Sequence, residues 1–143
     1  MKKIVIGADH AGYEYKEYIR EYLQMNGYTV TDKGTFSKDS VDYPDFAHAV
    51  AEVIENNQAD FGILFCGSAN GVAIAANKHK GVRAAICWEK EISQLARQHN
   101  NANIICIPAR FVAKELAQEM IDTFFATTFE GGRHQNRVAK IDC

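Results

Sequence analysis

The chain has little of what marks a secreted, membrane or metal-stapled protein. Its four cysteines, Cys66, Cys87, Cys106 and Cys143, show no CxxC or other close pairing. Spacing of that kind reads as free thiols in a reducing compartment, so a cytoplasmic location is expected. The five histidines are scattered, with no HxH or HExxH, and no metal site is expected. Only three strongly apolar residues follow Met1-Lys2-Lys3 before Gly7, too few for a signal peptide, and no run is long enough to span a membrane. Two prolines and ten glycines exclude collagen-like and low-complexity states. Neither sign of charge dominates: the formal net charge is -2, which gives no global pull toward nucleic acid.

What is present suits one core. With 143 residues, 47% of them hydrophobic, residues 1–143 read as a single domain. Two apolar periods alternate along it. Lys3–Ala8 is a short β-branched run, as in a strand buried on both faces. From Ala11 the spacing of Tyr15, Tyr18, Ile19, Tyr22 and Leu23 becomes helical, and Asn26-Gly27 stops it. Residues 28–31 read as a strand and 33–43 as a loop. Asp45 is a candidate cap for a helix whose inner face is Phe46, Val50, Val53 and Ile54. The scheme then repeats: strands at 61–65, 82–87 and 102–107, helices at 69–77, 89–99 and 112–125. In the helix at 89–99, Ile92, Leu95 and Ala96 are expected inward. This alternation predicts an α/β fold, a three-layer αβα Rossmann-like domain on a five-stranded parallel sheet. The tail, residues 130–143, departs from the scheme by its charge.

Ligands of open parallel sheets bind beyond the carboxyl ends of the strands. Those ends carry Asp9 and His10, then Cys66 with Gly67-Ser68-Ala69-Asn70-Gly71, then Pro108 and Arg110. Cys66 sits where a strand turns into a helix, so free backbone N–H groups can face an anion and the helix dipole favours a thiolate. The Gly-rich turn matches neither GxGxxG nor a P-loop. Cys87 and Cys106 read as core packing. His99 falls on the inward face at a helix end, suited either to the core or to acid–base chemistry. His48 and His79 read as surface residues without partners. Arg133 and Arg137, four apart, put two guanidinium groups on one helical face, a geometry that suits a phosphate.

Together these residues resemble the type B ribose-5-phosphate isomerase family, which includes galactose-6-phosphate and allose-6-phosphate isomerases. The carriers are Gly7-Ala8-Asp9-His10-Ala11-Gly12, Asp32-Lys33-Gly34, Asp42-Tyr43-Pro44, Cys66-Gly67-Ser68, Ile74-Ala75-Ala76-Asn77-Lys78, Arg97-Gln98-His99-Asn100 and Glu130-Gly131-Gly132-Arg133-His134-Gln135-Asn136-Arg137. The resemblance implies aldose–ketose isomerisation of a sugar phosphate through a cis-enediolate, with no cofactor. Ribose 5-phosphate is the expected substrate, with a six-carbon sugar phosphate, or a non-catalytic sugar-phosphate sensor, as the alternatives. It implies Cys66 as the base, His99 as the group that opens the furanose ring, and Asp9 holding hydroxyls. Ser68 would relay a proton and residues 67–71, Ala69 and Asn70 included, would cradle the enediolate. Tyr43 and Asn100 would touch substrate. Arg110, Arg133 and Arg137, with His10, would hold the phosphate. A homodimer with shared sites, or a tetramer of such dimers, is also implied, the tail reaching the partner. A family branch that uses a Glu in the helix is set aside by Cys66 and Ala75. One departure is Ala69, where many members have Gly; a positive φ there would cost about 1 kcal/mol.

Overall fold

A computed structural model describes residues 2–143. The elements run β1 (Lys3–Ala8), α1 (Tyr13–Met25), β2 (Thr29–Asp32), α2 (Tyr43–Glu55), β3 (Phe61–Cys66), α3 (Asn70–Ala76), β4 (Ala84–Ile86), α4 (Lys90–Asn100), β5 (Ile104–Pro108), α5 (Lys114–Ala126) and α6 (Arg133–Ala139). All strand pairs are parallel, in the order β2-β1-β3-β5-β4. The chain leaves β1 toward one edge and returns on its other side as β3, so a topological switch point lies between those two strands.

Alternation along the central strands sorts the core into two layers. Ile4, Ile6, Ala8, Ile63, Phe65, Ile105 and Ile107 face α1, α4 and α5, meeting Ile19, Leu23, Met120, Ile121 and Phe124. Val5, Leu64, Cys66, Ile104 and Cys106 face α2 and α3, meeting Val50, Ile54 and Val72. The three-layer Rossmann-like expectation therefore holds, with helices on both faces of five parallel strands. Among the described residues, no helix is long and apolar enough to cross a membrane.

Several local expectations need correction. The second helix starts at Tyr43 with Asp42 in the cap position, so Asp45 lies in the first turn and caps nothing. Its fully buried face is Ala47, Val50, Ala51 and Ile54, with Phe46 and Val53 half-buried. Small residues face inward there because α2 packs closely on β1 and β3. Leu95 is 40% exposed, while Ser93 and Ala96 take the inward positions of α4. The fourth strand shrinks to three residues at the sheet edge. The tail does not hang free: it forms α6, and the Glu130 N–H donates to the Gln98 carbonyl of α4.

One charge is built into the core. Lys16 is fully buried, and its Nζ lies 2.6 Å from Asp32 Oδ2 and 2.7 Å from Glu17 Oε2. Asp32 also accepts from the Gly34 N–H, and Gly34 and Thr35 bond the end of β1. The pair therefore ties α1, β2 and the following loop to the strand that carries Asp9. Asp32→Ala leaves Glu17 as the remaining carboxylate on the buried Lys16 ammonium, and should cost about 2 kcal/mol in urea unfolding. Lys16→Met should cost less, because the partly exposed Asp32 can turn to water.

Candidate active site

The register sets the site. Ala8 pairs with Phe65 and Cys66 with Pro108, so β1, β3 and β5 end side by side. Asp9 and Gly67, the next residues of β1 and β3, therefore meet Arg110, two residues past β5. The Asp9 N–H donates to the Phe65 carbonyl, the Ala109 N–H to that of Cys66, and the Arg110 N–H to that of Gly67. Close approach needs glycine at two points. A Cβ on Gly12 would stand 2.5 Å from the Phe65 Cβ, and one on Gly71 would stand 2.4 Å from the Tyr43 ring.

These elements line an open cleft of about 510 Å³ formed by Asp9, His10, Ala11, Tyr43, Cys66, Gly67, Ser68, Gly71, Arg110 and Phe111. Asp9 is buried, and its Oδ1 accepts from the Gly12 N–H at 3.1 Å, which fixes the carboxylate. His10 Nδ1 accepts from the Val41 N–H at 3.2 Å, so a neutral ring carries its proton on Nε2. Arg110 lies over Gly67, whose added Cβ would come within 3.1 Å of the guanidinium. Phe111 was not picked out from sequence; it is 76% exposed and rims the cleft, and an aromatic after a strand end gives no signal of its own.

Cys66 closes β3, one short turn ahead of α3, and burial outweighs the pull of that helix end. Desolvation pushes the thiol pKa up, against backbone N–H groups of Val72, Ala69 and Ser68 that pull it down, while the Asp9 charge adds to the rise. Burial thus works against the thiolate that the helix end was expected to favour. Ala69 does adopt the left-handed region, at φ 66° and ψ -6°. Its methyl is fully buried. Asn70 is exposed and its side chain reaches Ser68 Oγ at 3.3 Å, holding the exposed hydroxyl at the cleft.

The rest of the expected set lies elsewhere. His99, Asn100 and Arg137 line a second cleft of about 310 Å³ with His134, Val138 and Ile141, which shares no residue with the first. His99 is half-exposed rather than turned into the core, and stacks on His134 with ring centroids 4.2 Å apart. Arg133 and Arg137 do share one helix, though Arg133 is exposed and outside both clefts. So Cys66, Asp9, Ser68, His10, Tyr43 and Arg110 come together, while His99, Asn100 and Arg137 form a separate group. His48 and His79 are not partnerless: His48 Nδ1 lies 2.7 Å from His79 Nε2, and His79 Nδ1 lies 3.0 Å from Glu55 Oε1. Cys87 and Cys106 are core residues as expected.

Residues 4–141 match the Ribose/Galactose Isomerase family. The chain belongs to that family. It is 45% identical over 141 residues to ribose-5-phosphate isomerase B of Escherichia coli K12, covering 99% of this chain and 95% of that one. A ribose 5-phosphate isomerase structure from Thermotoga maritima superposes with a TM-score of 0.97 at 51% identity, covering 99% and 97% of the two chains. Ribose-5-phosphate isomerase B of Mycoplasma genitalium, solved with bound ribulose-5-phosphate, gives 0.94 at 45% identity over 97% and 93%. Membership of this isomerase family gives the first cleft its chemical context: a buried thiol, a fixed carboxylate and the backbone N–H groups that face the thiol fit proton transfer beside a carbonyl.

Because the Cys66 pKa is raised, its alkylation by iodoacetamide should be slow at pH 7 and climb about tenfold per pH unit to at least pH 9. The exposed Cys143 should be modified first, and Cys87 and Cys106 should stay protected in the native state. Peptide mass spectrometry reads all four separately. A Cys66 rate that plateaus below pH 8 would contradict the burial argument.

Proposed function

We propose that the protein interconverts ribose 5-phosphate and ribulose 5-phosphate, with Cys66 as the base and with each site built by two copies of the chain. The observation that carries this reading is the division of the chemistry. The thiol and the N–H donors line one cleft, and the imidazole and Arg137 line another. Neither cleft alone can open a sugar ring, enolise it and hold its phosphate.

The chemistry follows from the groups. His99 of one copy takes the proton from the anomeric hydroxyl and returns one to the ring oxygen, giving the open aldehyde. The Cys66 thiolate of the other copy then removes the C2 proton. Negative charge moves onto O1, where the N–H groups at the start of α3 can receive it. Cys66 returns the proton to C1, while Ser68 carries one from O2 to O1. A raised thiol pKa makes the thiolate scarcer at pH 7, but also a stronger base toward a weakly acidic C–H. Arg110 on one side and Arg133 and Arg137 on the other supply phosphate binding far from the reacting carbons, which fixes orientation.

Apolar side chains left exposed on one copy support the pairing. Ile74 on α3, Leu95 on α4, Trp88 after β4 and Ile141 after α6 are 40–65% exposed. A single protomer gains nothing from presenting them to water, whereas a partner copy would cover them.

Cys66→Ala should abolish turnover of ribose 5-phosphate while sugar-phosphate binding, read by calorimetry, stays within about threefold. Arg137→Ala should instead raise KM at least tenfold with folding unchanged. Turnover by Cys66→Ala at more than a few per cent of the unaltered rate would remove the thiol from the reaction.

A further inference from the structure

Two imidazole rings lie face to face at the end of α4. His99 and His134 have ring centroids 4.2 Å apart and planes only 13° from parallel. His134 is buried against α4, whereas His99 is half-exposed. Glu130 Oε1 lies 3.5 Å from His99 Nε2 and 3.7 Å from His134 Nε2. The ligating atoms of all three fall within 4.8 Å of one another. Even so, stacked rings send their in-plane lone pairs along parallel lines, and one ion cannot accept both at bonding distance. The arrangement suits holding a ring, not a metal.

We propose that His134 is a positioning residue for ring opening: its buried imidazole is the plate against which the His99 ring is held in the orientation the sugar requires. This rests on the assignment of His99 to ring opening. An exposed histidine at a helix C-terminus has a free χ2 torsion, and a general acid–base group loses rate when its nitrogen wanders from the reacting oxygen. Stacking on a fixed ring removes that freedom on one face, and the Glu130 carboxylate draws Nε2 toward one edge. Burial, the neighbouring His99 and the flanking Arg133 and Arg137 lower the pKa of His134 against the opposing pull of Glu130, which favours the neutral ring in the plate. Placement on α6 adds a consequence. Arg133 and Arg137 are one residue before and three after His134. The helix that would grip the phosphate therefore also carries the plate that aims the ring.

Ring opening and enolisation can be read separately. Turnover of ribose 5-phosphate needs both, because the sugar arrives as a furanose. Exchange of the C1 proton of ribulose 5-phosphate with D2O, followed by proton NMR, needs only the enediolate step. His134→Ala should lower kcat on ribose 5-phosphate about tenfold, with KM and the exchange rate within about twofold of the unaltered protein. His134→Phe, which keeps a flat ring to stack on, should recover most of that loss. His99→Asn should show the same pattern more steeply. Equal losses of turnover and exchange in both His134 variants would mean that His134 merely supports α6, and would overturn the proposal. So would unchanged turnover in His134→Ala. If His99→Asn leaves ribose 5-phosphate turnover intact, the ring-opening assignment itself fails, and the positioning role falls with it.

Discussion

Everything at the candidate site depends on three parallel strands ending abreast. The pairing of Ala8 with Phe65 and of Cys66 with Pro108 leaves no freedom in where the next residues go. Asp9, Gly67 and Arg110 emerge from neighbouring strand ends and are fixed there by backbone bonds to one another's strands. The core beneath is close-packed on both faces of the sheet, so the rim has a rigid floor. Lys16 and Asp32 extend that rigidity to the loop beside β1. Precision at Cys66 is thus inherited from strand register rather than created by the turn that follows it.

The same packing limits what one protomer can do. Burial that holds Cys66 in place also raises its pKa, so the packing that positions the thiol works against its thiolate form. The groups suited to ring opening and phosphate capture sit on α4 and α6, lining a cleft with no residue in common with the first. A small sheet has only one switch point, and the family solution proposed here completes it from a second copy. Exposed apolar residues on α3 and α4 are consistent with that assembly.

Strand ends and helix periods were legible in the residues, because β-branched runs and 3.6-residue spacing follow directly from burial. Asp9, Cys66 and Arg110 could be placed together from topology alone. Legibility failed where packing depends on size rather than polarity. Leu95 looks inward by period, yet it is 40% exposed, and the small Ser93 joins the expected Ala96 on the buried face of α4. The thiolate preference of Cys66 failed for a related reason: the helix end is visible in sequence, but the depth of burial is not. His48 and His79, 31 residues apart, gave no hint of their 2.7 Å contact, nor did His99 and His134 of their stack. Such pairs are set by how distant segments dock, which no local pattern records.

The central claim is that one site takes its thiol from one copy and its imidazole from another. Mixing Cys66→Ala protein with His99→Asn protein, each inactive alone, tests it directly. After subunit exchange, roughly half of the dimers are mixed, and each holds one site with both groups intact, so roughly a quarter of the unaltered activity should return. Turnover that stays at the level of the separate variants, with exchange confirmed by mass spectrometry of the mixed dimer, would place both groups in one chain and contradict the account.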